Sequence, residues 1–229
     1  ARPLLRIAAI MGRELDLRLL RSVAPTADLD RWLAACADAA VFEVHDGTWR
    51  FAHDKLRDGV LADLKDESRR TLHALIAETL EQVYAAAPEQ TPATAFHFGK
   101  AGNRARESHY AALAGAHALS GGAYREALNW LERAMTLTAE ALAATGADTT
   151  ALKQRQVMLR RQLAGAQLGL GQYAAARALY EENLAACRDL RQPAGEADAY
   201  RSLGDVAQAM ADYAGARDFY ERSLALYRD

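Results

Sequence analysis

Only two cysteines, Cys36 and Cys187, occur in 229 residues. They stand far apart, each inside an alanine-rich helical pattern. They read as buried free thiols of a reducing, cytoplasmic setting, not as a disulfide framework. Charge of one sign is lacking too. The formal net charge is −2, which leaves no overall basic signature for nucleic acid or an anionic membrane. No apolar run is long enough to span a bilayer, and no charged-then-apolar leader opens the chain. The six histidines include no pair four residues apart, and neither cysteine has a partner at metal-ligand spacing. The serines form no G-x-S-x-G turn. Metal and hydrolase chemistry therefore find no support, and the stretch reads as non-catalytic.

Apolar residues make up 51% of the chain, enough to bury a core. The first residues, "PLLRIAAIMG", and the last, "LALYRD", both read as helix, which suggests a piece cut from a longer polypeptide. Residues 3–12, 14–24 and 28–41 read as three short helices. Gly12 ends the first, Pro25 and Thr26 break the second from the third, and Asp28 is placed to cap the third. In "VFEVHDGTWRFAH", two β-rich runs flank Asp46-Gly47, a dipeptide suited to a tight hairpin. Three helices and a two-stranded wing follow the order of a winged-helix domain. From Ser68 a helical stripe runs through Leu72, Leu75, Ile76, Thr79, Leu80, Val83 and Tyr84. Pro88 and Pro92 interrupt it, and "ATAFHFGKAG" forms a shorter helix ended by Gly102-Asn103.

The remainder repeats itself. "GGAYREALNWLERAM", "GQYAAARALYEENL" and "ADYAGARDFYERSL" align without gaps on Tyr124, Tyr173 and Tyr213. Three residues after each tyrosine stands Ala127, Ala176 or Ala216. Seven after stands Leu131, Tyr180 or Tyr220, and eleven after stands Met135, Leu184 or Leu224. Nine before stands Gly115, Ala164 or Gly204. Small residues at fixed points let two helices cross closely, and large ones fill the gap to the next hairpin. This order resembles the tetratricopeptide repeat (TPR), most clearly in the third copy with Tyr200, Leu203 and Gly204. The tyrosine periods of 49 and 40 residues exceed the family's usual length, which extended helices and an insert around "ATGADTTA" accommodate.

The resemblance implies a groove lined by the first helix of each pair, receiving a protein or peptide. Asp198, Arg201, Asp205 and Gln208 share one face of the third such helix. Met158, Arg161 and Leu168 hold corresponding positions in the second. Singly, each also fits a plain solvated face.

In "RFAHDKLRDGVL" a strand pattern gives way to a helix at His53 and Asp54. Asp54 is expected to cap that helix, a contribution of about 1 kcal/mol. His53 has two readings: a ring filling space under the wing, or a neutral donor for a phosphate at the helix mouth. "FAHDKLRD" resembles the Met-His-Asp motif that ends the winged-helix domain of NB-ARC and related STAND signalling ATPases. Ala52 replaces the methionine, His53 and Asp54 match, and Leu56 and Arg57 fit the continuation. The following "SRRTLHALIAETLE" is similar to the linking segment of bacterial STAND regulators. The resemblance implies that His53 touches the β-phosphate of ADP. It also implies an ATPase domain upstream in the same polypeptide, with an effector of kinase, cyclase or LuxR-type transcription-activator kind. ADP or ATP belongs to that parent, and no cofactor is expected in this stretch. No G-x-x-x-x-G-K-[ST] loop occurs: in "HFGKAG", Thr94 stands where the first glycine belongs and Ala101 follows Lys100.

Two alternatives compete, a passive interaction scaffold and a DNA-binding regulator. The third helix carries Asp28, Asp30 and Asp38 against Arg31 alone, which opposes contact with phosphates. The expectation is an all-α chain with a small β wing: a winged-helix domain at 1–64, a helical linker at 65–106, then an α-α superhelical array at 107–229. That array holds about three TPR-like copies, the last truncated. Nucleic-acid and membrane partners are not expected.

Overall fold

The computed structural model describes residues 2–144 and 149–228. It divides into two compact units, residues 1–107 and 108–229.

The first unit opens with α1 (Arg2–Met11), α2 (Leu17–Val23) and α3 (Leu29–Asp38). Asp16 and Asp28 start α2 and α3 by accepting from Leu19 N and Arg31 N, at 2.9 and 3.1 Å. Residues 14–16, where the pattern suggested a helix would begin, precede α2 and are not helical. Leu15 N donates to Trp49 O and Phe51 N to Arg13 O, so the segment pairs alongside the hairpin. Strands β1 (Phe42–His45) and β2 (Thr48–Phe51) are antiparallel, with Phe42 opposite Phe51 and Val44 opposite Trp49. Both turn residues, Asp46 and Gly47, have positive φ, the conformation for which that dipeptide is suited.

After the hairpin come α4 (Asp54–Ala62), α5 (Asp66–Val83), a 3-10 turn at Pro88–Gln90 and α6 (Thr91–Ala101). The core gathers Ile7 and Ile10 of α1, Leu19 and Leu20 of α2, and the edge-on rings of Trp32, Phe42 and Phe51. Ile76 and Leu80 of α5 lie in the same core. Residues 65–106 fall within the first unit. The stripe on α5 needs a partner, and α1 and α2 supply it, with α6 packed alongside. The far end of α5 is held as well. Tyr84 donates to Asp16 Oδ2 at 2.6 Å, and Arg18 donates to Val83 O at 3.1 Å. Burial, then the Asp16 bond, pushes the Tyr84 phenol up to about 12, so it remains a donor.

Between α5 and α6 lies a buried imidazole pair. His73 and His97 Nδ1 stand 2.9 Å apart, one ring donating and the other accepting. Burial lowers both from 6.5 to about 4. Lys100 and Arg69 add to the effect on His73, and His73 adds to it on His97.

The second unit is built of paired helices. α7 (Arg104–Ser120) runs across the division. It is followed by α8 (Tyr124–Ala144), α9 (Thr150–Gly169), α10 (Tyr173–Asp189), α11 (Pro193–Ala209) and α12 (Tyr213–Arg228). Each aligned tyrosine is the first residue of the second helix of a pair. Ala127, Ala176 and Ala216 are buried, as are Gly115, Ala164 and Gly204. A Cβ on Gly115 would stand 2.5 Å from Leu131 Cγ, and one on Gly204 2.5 Å from Tyr220 Cε1. Neighbouring pairs meet in the same way, since a Cβ on Gly169 would come within 2.5 Å of the Tyr124 ring. The long α8 and α9 account for part of the longer period. Residues 145–148 of the expected insert lie outside the described residues.

The turn within each pair needs one residue at positive φ. Gly122 and Gly171 serve in the first two copies, and Ala211, with φ 61°, in the third. A left-handed alanine costs roughly 1–2 kcal/mol, partly offset by the smaller entropy it loses on folding. Ala211→Gly is therefore expected to stabilise the chain by about 0.5–1 kcal/mol in thermal unfolding, and Gly171→Ala to destabilise it comparably. The histidine pair predicts a pH dependence. Its rings stay neutral in the folded chain down to about 4, whereas the unfolded chain takes up protons near 6.5. Stability is complete above pH 6.5 and falls toward pH 4, by up to about 1.4 kcal/mol per pH unit for each ring. A His73→Leu/His97→Leu variant should show a shallower fall of melting temperature with acid than the parent chain.

Candidate functional site

Two places carry the residues singled out by the sequence, one in each unit. At the first, the chain leaves β2 extended through His53 (φ −139°, ψ 137°) and enters α4 at Asp54. The capping position belongs to His53, not Asp54. The His53 side chain makes no capping bond and is exposed. Asp54, one residue inside the helix, turns instead to Arg13, its Oδ1 3.5 Å from the guanidinium Nε. Both side chains are half-exposed or more, so the pair adds little stability. Its effect is local: Arg13 offsets the carboxylate charge beside the open helix mouth. Arg57 fixes α4 to α1 by donating to Ala9 O at 2.9 Å. Glu43 lies within electrostatic reach. The Arg50 hydrogen bond holds its carboxyl below the usual range, and His45 and His53 act in the same direction. The site therefore consists of an unused imidazole and a helix start without a side-chain cap, with Arg13 nearby.

At the second place, α9 and α11 bring most of the expected groove residues into one polar chain. Arg161 meets Asp198 at 3.3 Å. Arg201 stands 3.9 Å from Asp198 and 3.6 Å from Asp205. Two tyrosines of α12 complete the chain. Tyr227 donates to Asp198 Oδ1 at 2.7 Å, and Tyr220 donates to Asp205 Oδ1 at 2.9 Å while standing 3.0 Å from the Gln208 amide. Burial, then the Asp205 bond, raises the Tyr220 phenol, and the Asp198 bond raises that of Tyr227. Both remain protonated donors at neutral pH.

The Tyr227 contact was not foreseen, and Tyr220 was read only as a filler between helices. Aromatics seven and fourteen residues after Tyr213 were the available signal. Met158 is exposed on the same helix as Arg161. Leu168 is half-buried against the core around Ala164, Tyr180 and Tyr200, so much of its surface is committed to packing. Gly165 lies between Arg161 and Leu168, with a Cβ there 3.8 Å from Tyr180 Oη and in ordinary contact. Sequence spacing alone gave no reason to choose it.

Among the described residues no group of three or more His, Cys, Asp or Glu is placed to hold a metal ion. Nor is any helix long and apolar enough to cross a membrane.

Comparison with known proteins bears on the fold that carries this second place. The tetratricopeptide repeat family model matches residues 155–229. Those residues form a tetratricopeptide repeat region. Two solved structures share the fold. BtubC (BKLC) from P. vanneervenii is 17% identical, with 88% of this chain and 74% of that chain covered and a TM-score of 0.51. The apo form of RapI is 10% identical, with a TM-score of 0.53. The match to RapI covers 93% of this chain and 53% of that one, so the chain spans about half of RapI's length. No curated protein sequence matches at a significant level. A helical repeat array of this kind is consistent with a protein-interaction scaffold, and such folds are typically non-catalytic.

Proposed function

We propose that this chain is the regulatory arm of a multidomain STAND-type signalling ATPase. In this reading residues 1–64 of the first unit are a winged-helix domain. Its helical order, the hairpin and the pairing of residues 13–15 beside β2 support that assignment. The groove of the repeat region receives a protein or peptide segment across Met158, Arg161, Leu168, Asp198, Arg201, Asp205 and Gln208. The nucleotide, ADP or ATP, is held by an ATPase domain elsewhere in the same cytoplasmic polypeptide. The effector is of kinase, cyclase or transcription-activator kind.

The observation that carries the reading is His53. An exposed imidazole with no structural bond, at the mouth of a nine-residue helix whose first turn has no side-chain acceptor from that position, suits a phosphate. Asp54 alone would repel such an anion, and Arg13 offsets it. When bound, the nucleotide supplies the phosphate that His53 contacts. The chain's own part is to hold the ring there, since α4 is anchored to α1 through Arg57. Occupation of the groove favours one arrangement of the arm, and His53 keeps or leaves its contact accordingly. A DNA-binding role is disfavoured by α3, whose first turn presents Asp28 as a cap and Asp30 toward Arg21.

The test is His53→Ala in the full-length polypeptide. Losing a hydrogen bond to a charged group, roughly 1.5–3 kcal/mol, is expected to speed ADP release about tenfold or more, at unchanged melting temperature. Unaltered release leaves a passive repeat scaffold.

A further inference from the structure

Gly115, Gly169 and Gly204 stand where helices cross, and a Cβ on any of them would lie 2.5 Å from a neighbouring side chain. Gly165 is different. It lies inside α9, half-buried, and a Cβ there would have Tyr180 Oη at 3.8 Å and Leu119 Cδ2 at 3.9 Å, both ordinary contacts. Packing admits alanine at this place, and within a helix glycine is the less stable of the two. No crossing accounts for it.

Aligning the copies shows what is missing. In the third, the Tyr220 hydroxyl meets Asp205 at 2.9 Å and Gln208 at 3.0 Å, both on α11. The same offsets from Tyr173 give Tyr180, Gly165 and Leu168. The second tyrosine therefore finds no polar side chain at those positions of α9, and forms its hydrogen bond with Ser202 of α11 instead. The space that the Asp205 side chain fills in the third copy stays open over Gly165. Its surroundings are apolar: Leu119 and Leu168 are half-buried, and Met158, on the same face of α9, is 40% exposed.

The polar wall beside this hollow is electrically closed. Arg161 and Arg201 are engaged with Asp198 and Asp205 at 3.3 to 3.9 Å, two cations against two anions. It leaves no net charge for an occupant to meet. We infer that the hollow over Gly165 is the anchor point of the groove: it takes one apolar side chain of leucine or phenylalanine size, from a peptide whose flanking residues are uncharged. The inference rests on the proposal that this groove receives a peptide, and is independent of His53. Glycine lets the backbone that carries the anchor come close to α9. Met158, unbranched and polarizable, adapts to the inserted group.

The probe is a phage-displayed library of random peptides of about 12 residues, selected on the whole chain. Enriched peptides are then synthesised and titrated by fluorescence anisotropy. They are expected to share one large apolar residue, whose replacement by alanine weakens binding about tenfold or more. Affinity should change less than about twofold between about 0.05 and 0.5 M NaCl. Gly165→Leu fills the hollow and should weaken binding about tenfold without lowering the melting temperature. Gly165→Ala should raise the melting temperature by about 2–4 °C and still bind more weakly than the parent. Peptides that keep their affinity for Gly165→Leu but lose it on Arg201→Ala overturn the anchor and leave the groove reading standing. Enrichment of charged motifs with steep salt dependence overturns the anchor in the same way. No enrichment over the bare support overturns both.

Discussion

The repeat region depends on one steric condition: where neighbouring helices cross, one of them must carry no side chain or only a methyl group, as at Gly115, Ala164 and Gly204. Gly204 lies under the Tyr220 ring, Gly115 under Leu131 and Gly169 under Tyr124, each with no room for a Cβ. The large partner buries its surface against bare helix, and the backbones approach more closely than two ordinary side chains allow. The approach at Gly204 sets the spacing of α11 and α12, and with it the reach of Tyr220 and Tyr227 to Asp205 and Asp198. The ion pairs in the polar chain from Arg161 to Gln208 are mostly exposed and contribute little stability themselves. They orient side chains on a face that the glycine contacts have already built.

Repetition explains how much of this was legible in the sequence. Three aligned tyrosines with small and large residues at fixed offsets gave the pairs, and the structure begins α8, α10 and α12 at those tyrosines. Asp28 as a cap and Asp46-Gly47 as a turn were legible because each acts through its immediate neighbours. What escaped was non-periodic or non-local. Leu15 beside Trp49 is a single backbone pairing in a segment whose composition also suits a helix. Asp54 and His53 differ by one residue as candidates for the cap, and only backbone dihedrals separate them. The stripe on α5 showed that it would bury one face without naming its neighbour, so its place in the first core was invisible. Tyr227 looked like part of a helix end, because its partner Asp198 is 29 residues away.

The candidate sites differ in the same way. The groove residues follow a helical period, and five of the seven expected meet in one polar chain, with Met158 exposed alongside and Leu168 partly drawn into the core. His53 stands on a motif of two matched residues. What favours it is the side chain's freedom: it caps nothing and is exposed, while Arg57 and Asp54 on either side are engaged with α1 and Arg13.

The crossing condition is tested most directly by Gly204→Val, measured by thermal unfolding with hydrogen exchange. The account expects a loss of about 1–3 kcal/mol, with faster amide exchange along α11 and α12 and unchanged protection of the core around Phe42 and Ile76. Unchanged stability, or exchange that rises equally in both units, would contradict it.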